Sequence, residues 1–517
     1  MYKIIISFLA LCLCLSVSAQ NELDAERMSM GGLAGTARVQ GMGGAFSAAG
    51  GDFSAATLNP AGFALYKRSD FMFTTGLRFT RNQGALLGQQ ESDYRTRMGL
   101  TNMGLVIHGN YEPYSQYGRD QQKGPKLRSY SFHAGFNQLE NYYRHTQAQG
   151  FNADNSFSSY LANRAQGSTP SQLPFGSLAE MGYFVWLIDP NAADSTRYTA
   201  AAPSNVNQAV RRIETGRLNE WNFGMSGNFE NVVYAGITLG VRSLDYRSNF
   251  EFTEADTRNV HGSWGTYNTA TADSVGFRSL TYSEEFNTTG TGVNIGFGVI
   301  VRPADFVRLG LSAQSPTWYS LTDQYTSSLN NTSDANQTYR YNSDAGFFEY
   351  SFTTPYRVTG GASFVIAKAL LLNADVDMLD YRTSRFTSTT YGFRAENQTI
   401  RNMFDRAYNY RFGAEYKYGP VYFRSGFAWF DPVMTETGNS YSDVTSNGVM
   451  RINAGRRFIT GGLGYREEGF YIDLALVNQR FQDKYSAYSG ADLSGFAPVI
   501  VNTVTRNMYL LTVGFRW

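Results

Sequence analysis

Val293-Asn294-Ile295-Gly296-Phe297-Gly298-Val299-Ile300-Val301-Arg302 alternates with a period of two: Val293, Ile295, Phe297, Val299 and Val301 share one face, and Asn294, Gly296, Gly298 and Arg302 share the other. That period is the period of a β-strand. The second face decides the fold. In a soluble sandwich the face away from the core is rich in charge, whereas here it is small and nearly uncharged. An apolar face against hydrocarbon and a small polar face against a narrow interior are what a membrane barrel needs.

The same alternation recurs on both sides of this stretch. Phe71, Phe73, Thr75, Leu77 and Phe79 oppose Met72, Thr74, Gly76, Arg78 and Thr80. Trp221, Phe223, Met225 and Phe229 oppose Asn222, Gly224, Ser226 and Asn228, and Phe412, Ala414, Tyr416 and Tyr418 oppose Arg411, Gly413, Glu415 and Lys417. The pattern predicts strands near 70–80, 98–110, 128–144, 218–230, 231–253, 279–303, 305–327, 346–366, 368–388, 403–418, 420–432, 451–466, 469–486 and 499–517. Those segments make an all-β, transmembrane antiparallel β-barrel of about 14 strands, an even number as in bacterial barrels. Short turns such as Arg302-Pro303-Ala304-Asp305 alternate with longer polar connections such as 328–345 and 433–450, as periplasmic turns and outer loops do. The barrel proper is expected over residues 69–517.

Composition agrees. Of 517 residues 15% are aromatic and 17% charged, against about 25% charged in ordinary soluble domains. A net charge of +1 offers no basic excess for a phosphate backbone, so nucleic acid is not an expected partner. Mean hydropathy is −0.33, and no apolar run of about 20 residues follows the first twenty positions, which excludes a bundle of membrane-spanning helices.

Residues 1–19 read as a secretory signal, with Lys3 as the positive start, Ile4 to Val17 as the apolar core, and Val17-Ser18-Ala19 as the cleavage site before Gln20. A lipoprotein anchored at Cys12 or Cys14 is disfavoured because Leu11 and Leu13 precede them. Both cysteines lie within the signal, so the exported chain carries no disulfide, thiolate metal site or cysteine nucleophile. Residues 146–217 exceed a simple hairpin, and Ser156 to Ala165 and Ser177 to Leu187 have near-helical apolar spacing, which predicts an outer loop with short helices over the barrel mouth. Residues 20–68, rich in Gly and Ala, suit a compact plug in the lumen better than a lipid-facing strand. At the other end Tyr509, Leu511, Val513, Phe515 and Trp517 share one face, the terminal aromatic pattern that the barrel-assembly machinery reads for membrane insertion.

Chemistry is sparse. His108, His133, His145 and His261 are dispersed without metal-ligand spacing, and no nucleophile, zinc or phosphate-loop motif occurs, so neither an enzyme nor a cofactor or metal is expected. His133 beside Ser131 is the one arrangement with a nucleophile near a base. Met28, Met30 and Met42 read as adaptable apolar packing.

Gly35-Thr36-Ala37-Arg38, Gly41-Met42-Gly43-Gly44-Ala45 and Asn59-Pro60-Ala61-Gly62 resemble the hatch of FadL/TodX-type outer-membrane transporters of fatty acids and other hydrophobic compounds. Ser312 to Thr317, Thr354-Pro355-Tyr356 with Gly360-Gly361-Ala362, Asn373-Ala374-Asp375, Gly413 to Tyr416 and Arg424 to Phe427 resemble that family's strands in order. The resemblance implies a plugged barrel in the outer membrane of a Gram-negative bacterium, in contact with outer-membrane lipid, which takes a hydrophobic ligand such as a fatty acid and releases it through a lateral gap. The Asn59-Pro60-Ala61 element is expected to hold the plug against the first strand. By analogy the gap falls on the third strand, where Gly135 tolerates a bulge and Asn137 offers an amide to a freed backbone group; the alternative is an ordinary strand glycine.

A pocket for such a ligand gains about 25 cal/mol per Å² of apolar surface buried, and a few polar groups orient a head. Arg242, Arg302, Arg308, Arg411 and Arg424 lie on polar strand faces and are candidates for a carboxylate, or else pair with Asp375, Asp377 and Glu415. A second functional class stays open: a FadL-like barrel serving as a subunit of an outer-membrane protein secretion or assembly complex, with partner proteins bound by its outer loops. A plugged lumen argues against an aqueous porin.

Overall fold

Fourteen antiparallel strands close on themselves in the computed structural model, which describes residues 22–111, 126–261, 276–434, 452–488 and 498–517. They are β1 (Asp70–Leu86), β2 (Gln89–Asn110), β3 (Leu127–Asn141, continued by Arg144–Asn152), β4 (Val206–Phe229), β5 (Val233–Ala255), β6 (Phe277–Ala304) and β7 (Val307–Gln314, continued by Trp318–Ser333). The circuit goes on through β8 (Thr338–Asn342, Gly346–Thr353 and Arg357–Ile366), β9 (Leu370–Asp380), β10 (Arg406–Tyr418), β11 (Val421–Phe430), β12 (Ile452–Arg466), β13 (Phe470–Ser486) and β14 (Val499–Arg516). Each pairs with the next, and β14 pairs with β1 from Arg516↔Asp70 to Val501↔Ala85, so no edge is left at closure. The signal and its cleavage before Gln20 lie outside the described residues, as do most of 433–450 and part of 254–278.

The outward faces define the membrane belt. Val293, Ile295, Phe297, Val299 and Val301 are exposed on β6, and Val233, Ile237 and Leu239 on β5. Beyond them the same faces turn polar, with Thr291, Thr289 and Asn287 on β6 and Ser243, Asp245 and Arg247 on β5. A belt of roughly 9 residues per strand matches a tilted crossing, and the rest of each strand stands outside the bilayer. Outside hydrocarbon both faces can be polar. Alternation therefore stops at the bilayer rim while the strands continue: β1 reaches Leu86, β2 starts at Gln89 and β4 at Val206.

The outer connection is consequently shorter than 146–217, because β3 runs to Asn152 and β4 begins at Val206. Residues 153–205 hold two helices where the spacing places them: α2 (Phe157–Ala165), capped by Ser156, and α3 (Leu178–Phe184), capped by Ser177. Phe157, Tyr160, Leu161 and Val185 from this connection pack with Leu86 of β1, Phe252 of β5, Tyr282 of β6, Leu329 of β7 and Ile500 of β14, and so draw the outer strand ends into one apolar core across the mouth. Beneath it, Ala25 and Met28 of an N-terminal helix, α1 (Glu22–Ser29), pack with Tyr246, Phe286, Tyr319 and Phe352 from the wall. Phe393 and Ile400 of the connection after β9, which carries α4 (Arg394–Met403), join the same core.

Candidate functional site

Residues 24–66 lie against the inward faces of the strands. Asp375 on β9 accepts from Phe46 N and Ser47 N at 2.8 Å each and from Ser47 Oγ at 2.7 Å. Arg38 grips Glu415 on β10, Nε to Oε2 at 2.9 Å and Nη2 to Oε1 at 2.7 Å. Burial opposes its charge, but Glu415 outweighs burial and holds the Arg38 guanidinium above its ordinary value. Thr460 on β12 accepts from Gly43 N and donates to Gly41 O, both at 2.9 Å.

Asn59 has a double role. Its Oδ1 accepts from Ala61 N at 3.1 Å, turning the chain into a short helical turn begun by Pro60, and its Nδ2 donates to Ser47 O at 2.8 Å and Val299 O at 3.3 Å. The element is thus fastened to β6, and not to the first strand as its place in sequence suggested. The approach is so close that a Cβ on Gly298 of β6 would stand 1.9 Å from Asn59 Oδ1. Bare backbone is what admits the segment there. His133 stacks on Phe63 at 3.6 Å with its Nε2 3.0 Å from Thr238 Oγ1, while Ser131 Oγ meets His108. The histidine packs the segment against the wall, and Ser131 is not its partner.

The five sequence-chosen arginines separate. Arg242 pairs with Glu220 at 2.5 Å, and Arg424 sits between Glu415 at 2.6 Å and Asp473 at 2.7 Å. Arg411 pairs with Asp377 at 2.5 Å. Arg308 donates to Ala49 O at 2.7 Å, holding the N-terminal segment, and Arg302 sits at the β6–β7 turn 3.5 Å from Asp305. Arg242 and Arg411 line one cavity of about 90 Å³, together with Arg357, Arg456, Asp377, the segment Ser29–Ala34 and apolar Leu139, Leu218 and Leu379. A dry cavity of about 150 Å³ is the scale that holds benzene, so in this conformation the space fits a small head group or waters and not a long chain. Sequence reasoning missed Arg357, which donates to Thr57 O, and Glu140, which pairs with Arg456 at 3.2 Å and Arg506 at 3.1 Å.

Beside Glu140 the wall changes. The β2–β3 ladder runs from Asn110↔Ser129 to Asn102↔Asn137, and Gly135 pairs with Gly104 inside it. From Leu100 to Gln89, β2 keeps its β1 partner, while β3 beyond Asn137 pairs with β4. After Tyr142-Tyr143 the continuation of β3 runs behind β1: Asn82 Nδ2 donates to His145 O at 2.6 Å, and a Cβ on inward Gly84 would stand 2.1 Å from Gln147 O. Arg144 fixes this inward course through Glu214 of β4 and Asp483 of β13. The ladder therefore parts just beyond Asn137, at the level where Met98 and Leu100 are exposed. Asn102 Nδ2 closes the last rung on Asn137 Oδ1 at 2.6 Å. At the seam, Phe515 faces outward opposite Phe71, and Trp517 N donates to Ser69 O at 3.2 Å.

The P. putida toluene transporter TodX is similar in structure over 93% of this chain and 98% of its own, with a TM-score of 0.50 and 14% identity. A Pseudomonas aeruginosa FadL homologue matches over 94% of this chain and 99% of its own, at 0.50 and 13%. The chain has the FadL/TodX-type fold. No protein-family model and no curated protein matches the sequence. Within this FadL/TodX-type barrel, the stretches that carry the sequence resemblance, 35–45 and 59–62, are seated on the inner wall, and Ser312–Thr317 of β7 lies opposite 354–359 of β8.

Proposed function

We propose that the protein is an outer-membrane channel for small hydrophobic molecules in a Gram-negative bacterium, exported by its N-terminal signal, with residues 20–68 as the plug and the parted β2–β3 ladder as a lateral exit. The observation that carries the reading is the end of the β2–β3 ladder at Asn102↔Asn137, beyond which β3 stays paired with β4 alone and its continuation passes behind β1. A hydrophobic molecule gains nothing from an aqueous bore, but it gains burial at each step between an apolar lumen and lipid. TodX, which shares this fold, is a toluene transporter, and that supports the substrate class by likeness alone. Arg242, Arg411, Arg357 and Arg456 around the cavity would orient a polar head, which would exchange for the carboxylates now on Arg242, Arg411 and Arg456 and for the Thr57 carbonyl now on Arg357.

The test is uptake of radiolabelled toluene and oleate by cells whose own hydrophobic channels are deleted and which display this barrel. Faster uptake than in empty cells is expected. Uptake no faster, with a stoichiometric protein partner recovered in mild detergent, would instead support a subunit role in an outer-membrane complex.

A further inference from the structure

The β7–β8 ladder runs from Val307↔Phe364 to Gln314↔Arg357 and resumes at Trp318↔Thr353 in the same register. Between those rungs Ser315-Pro316-Thr317 stands opposite Thr354-Pro355-Tyr356, so Pro316 faces Pro355. Neither ring nitrogen can donate, and a central strand pair is where prolines are normally excluded. In a membrane wall the cost is greater, because hydrocarbon offers no water to the unpaired groups.

The chain meets that cost locally. Ser315 Oγ donates to Pro316 O at 2.8 Å, and Thr354 Oγ1 to Pro355 O at 3.3 Å. Thr317 N donates to Thr354 Oγ1 at 2.8 Å, and Ile295 N to Ser315 Oγ at 3.0 Å. Hydroxyls carried by the interrupted segments replace ladder bonds. Of the backbone bonds between the two segments, Thr354 N to Thr317 O at 3.1 Å remains. Among the described residues, separating the two strands here breaks only two hydrogen bonds, Thr354 N to Thr317 O and Thr317 N to Thr354 Oγ1, while the carbonyls of Pro316 and Pro355 keep hydroxyl donors from their own segments.

Both sides of the interruption are suited to passage. Outside, exposed Ile295, Leu311, Trp318 and Tyr356 place it at the outer rim of the lipid belt. Inside, Ser315, Thr317, Thr354 and Pro355 form the wall of the central cavity. The direct route from the medium is closed by the apolar core across the mouth.

We infer that the Pro316–Pro355 rung is a second lateral gate, through which compact, uncharged apolar molecules dissolved in the outer leaflet enter the central cavity. The inference rests on the transport reading and adds an entrance distinct from the β2–β3 gap. Molecules that have already partitioned into lipid need not displace the outer cap.

The test attaches a bimane to Gln314→Cys, which lines the cavity, in protein reconstituted into vesicles with bromobenzene dissolved in the bilayer. With the prolines present, quenching several-fold faster than in Pro316→Val/Pro355→Val is expected, and iodide in the water should quench both alike. If the double variant loses heat-modifiable migration, a Ser315→Cys/Tyr356→Cys pair joined by a short cross-linker, read before and after cleavage of the linker, makes the same comparison in a folded barrel. Equal rates with the rung sealed and unsealed overturn the gate, as does quenching abolished by closing β2–β3 alone. Proline-dependent quenching in a barrel that gives no net uptake keeps the gate and removes the transport reading; uptake with proline-independent quenching does the reverse.

Discussion

Arg38 and Glu415, 377 residues apart in sequence, meet through two parallel hydrogen bonds of 2.9 and 2.7 Å. The fork geometry fixes both distance and orientation, so this pair sets the depth of the N-terminal segment in the barrel. Arg38→Ala leaves Glu415 to Arg424 and weakens the seat by on the order of 3 kcal/mol, the usual loss when one partner of a buried pair is removed. Single-channel conductance in a planar bilayer should rise, and deletion of 22–52 should raise it further. Unchanged conductance in both would mean that the segment does not obstruct the lumen.

Gly298 and Gly296 share the inward face of β6 but differ in what surrounds them. A Cβ at 298 would stand 1.9 Å from Asn59 Oδ1, whereas at 296 its nearest neighbour is 3.8 Å away. Gly298→Ala should therefore expose the segment to trypsin, at about 1–3 kcal/mol of overpacking, and Gly296→Ala should leave it protected. Equal protection of the two variants would contradict the Asn59 seat.

The exit test belongs beyond Asn137. Gly135 is in contact with the N-terminal segment, since a Cβ there would stand 2.2 Å from Phe53 Cζ, so Gly135→Val disturbs that segment first. A Thr101→Cys/Gln138→Cys pair joined by a short cross-linker should slow hydrophobic uptake several-fold with conductance unchanged. Full uptake by the cross-linked barrel would exclude the β2–β3 gap as the route.

Outside the bilayer, Glu254 accepts from Phe157 N at 2.6 Å and Gln208 Nε2 at 2.7 Å at the base of the outer cap. Burial lifts its carboxyl from 4.5 to about 8. The folded cap thus holds a proton that the opened cap releases, and its stability is full below pH 4.5 and is lost as pH rises toward 8. The protection factor of α2 amides, with the intrinsic base-catalysed exchange rate divided out, should fall by up to about tenfold per pH unit across that window. Glu254→Gln should flatten the dependence; a variant with the wild-type slope would assign it elsewhere.

The alternation from Phe71 to Trp517 revealed the strands and their order because lipid imposes one chemistry on one face. Where lipid ends, so does the signal: residues 146–152 read as the start of an outer loop although they are strand, and their inward course depends on Arg144 finding Glu214 and Asp483. The arginine pairs were more legible than their residue types suggest. Glu220 lies across from Arg242 and Glu415 from Arg424, and hairpin arithmetic from each turn would have matched them, whereas Arg411 lies across from Asp375 but pairs with Asp377 two residues along. The seat of the N-terminal segment was not legible, because it rests on glycines, whose lack of a side chain says nothing about which backbone comes to fill the space.

The pairing of Asp70 with Arg516 has a kinetic meaning. A circular ladder has no stable partial form of the same kind: until β14 arrives, β1 and β13 both present unpaired edges along their full length. The slowest contact to form is thus also the one that removes both adhesive edges at once. A chain of this kind must be kept apart from its neighbours until the ring shuts, and its yield will depend more on how quickly the seam is found than on how stable the finished cylinder is.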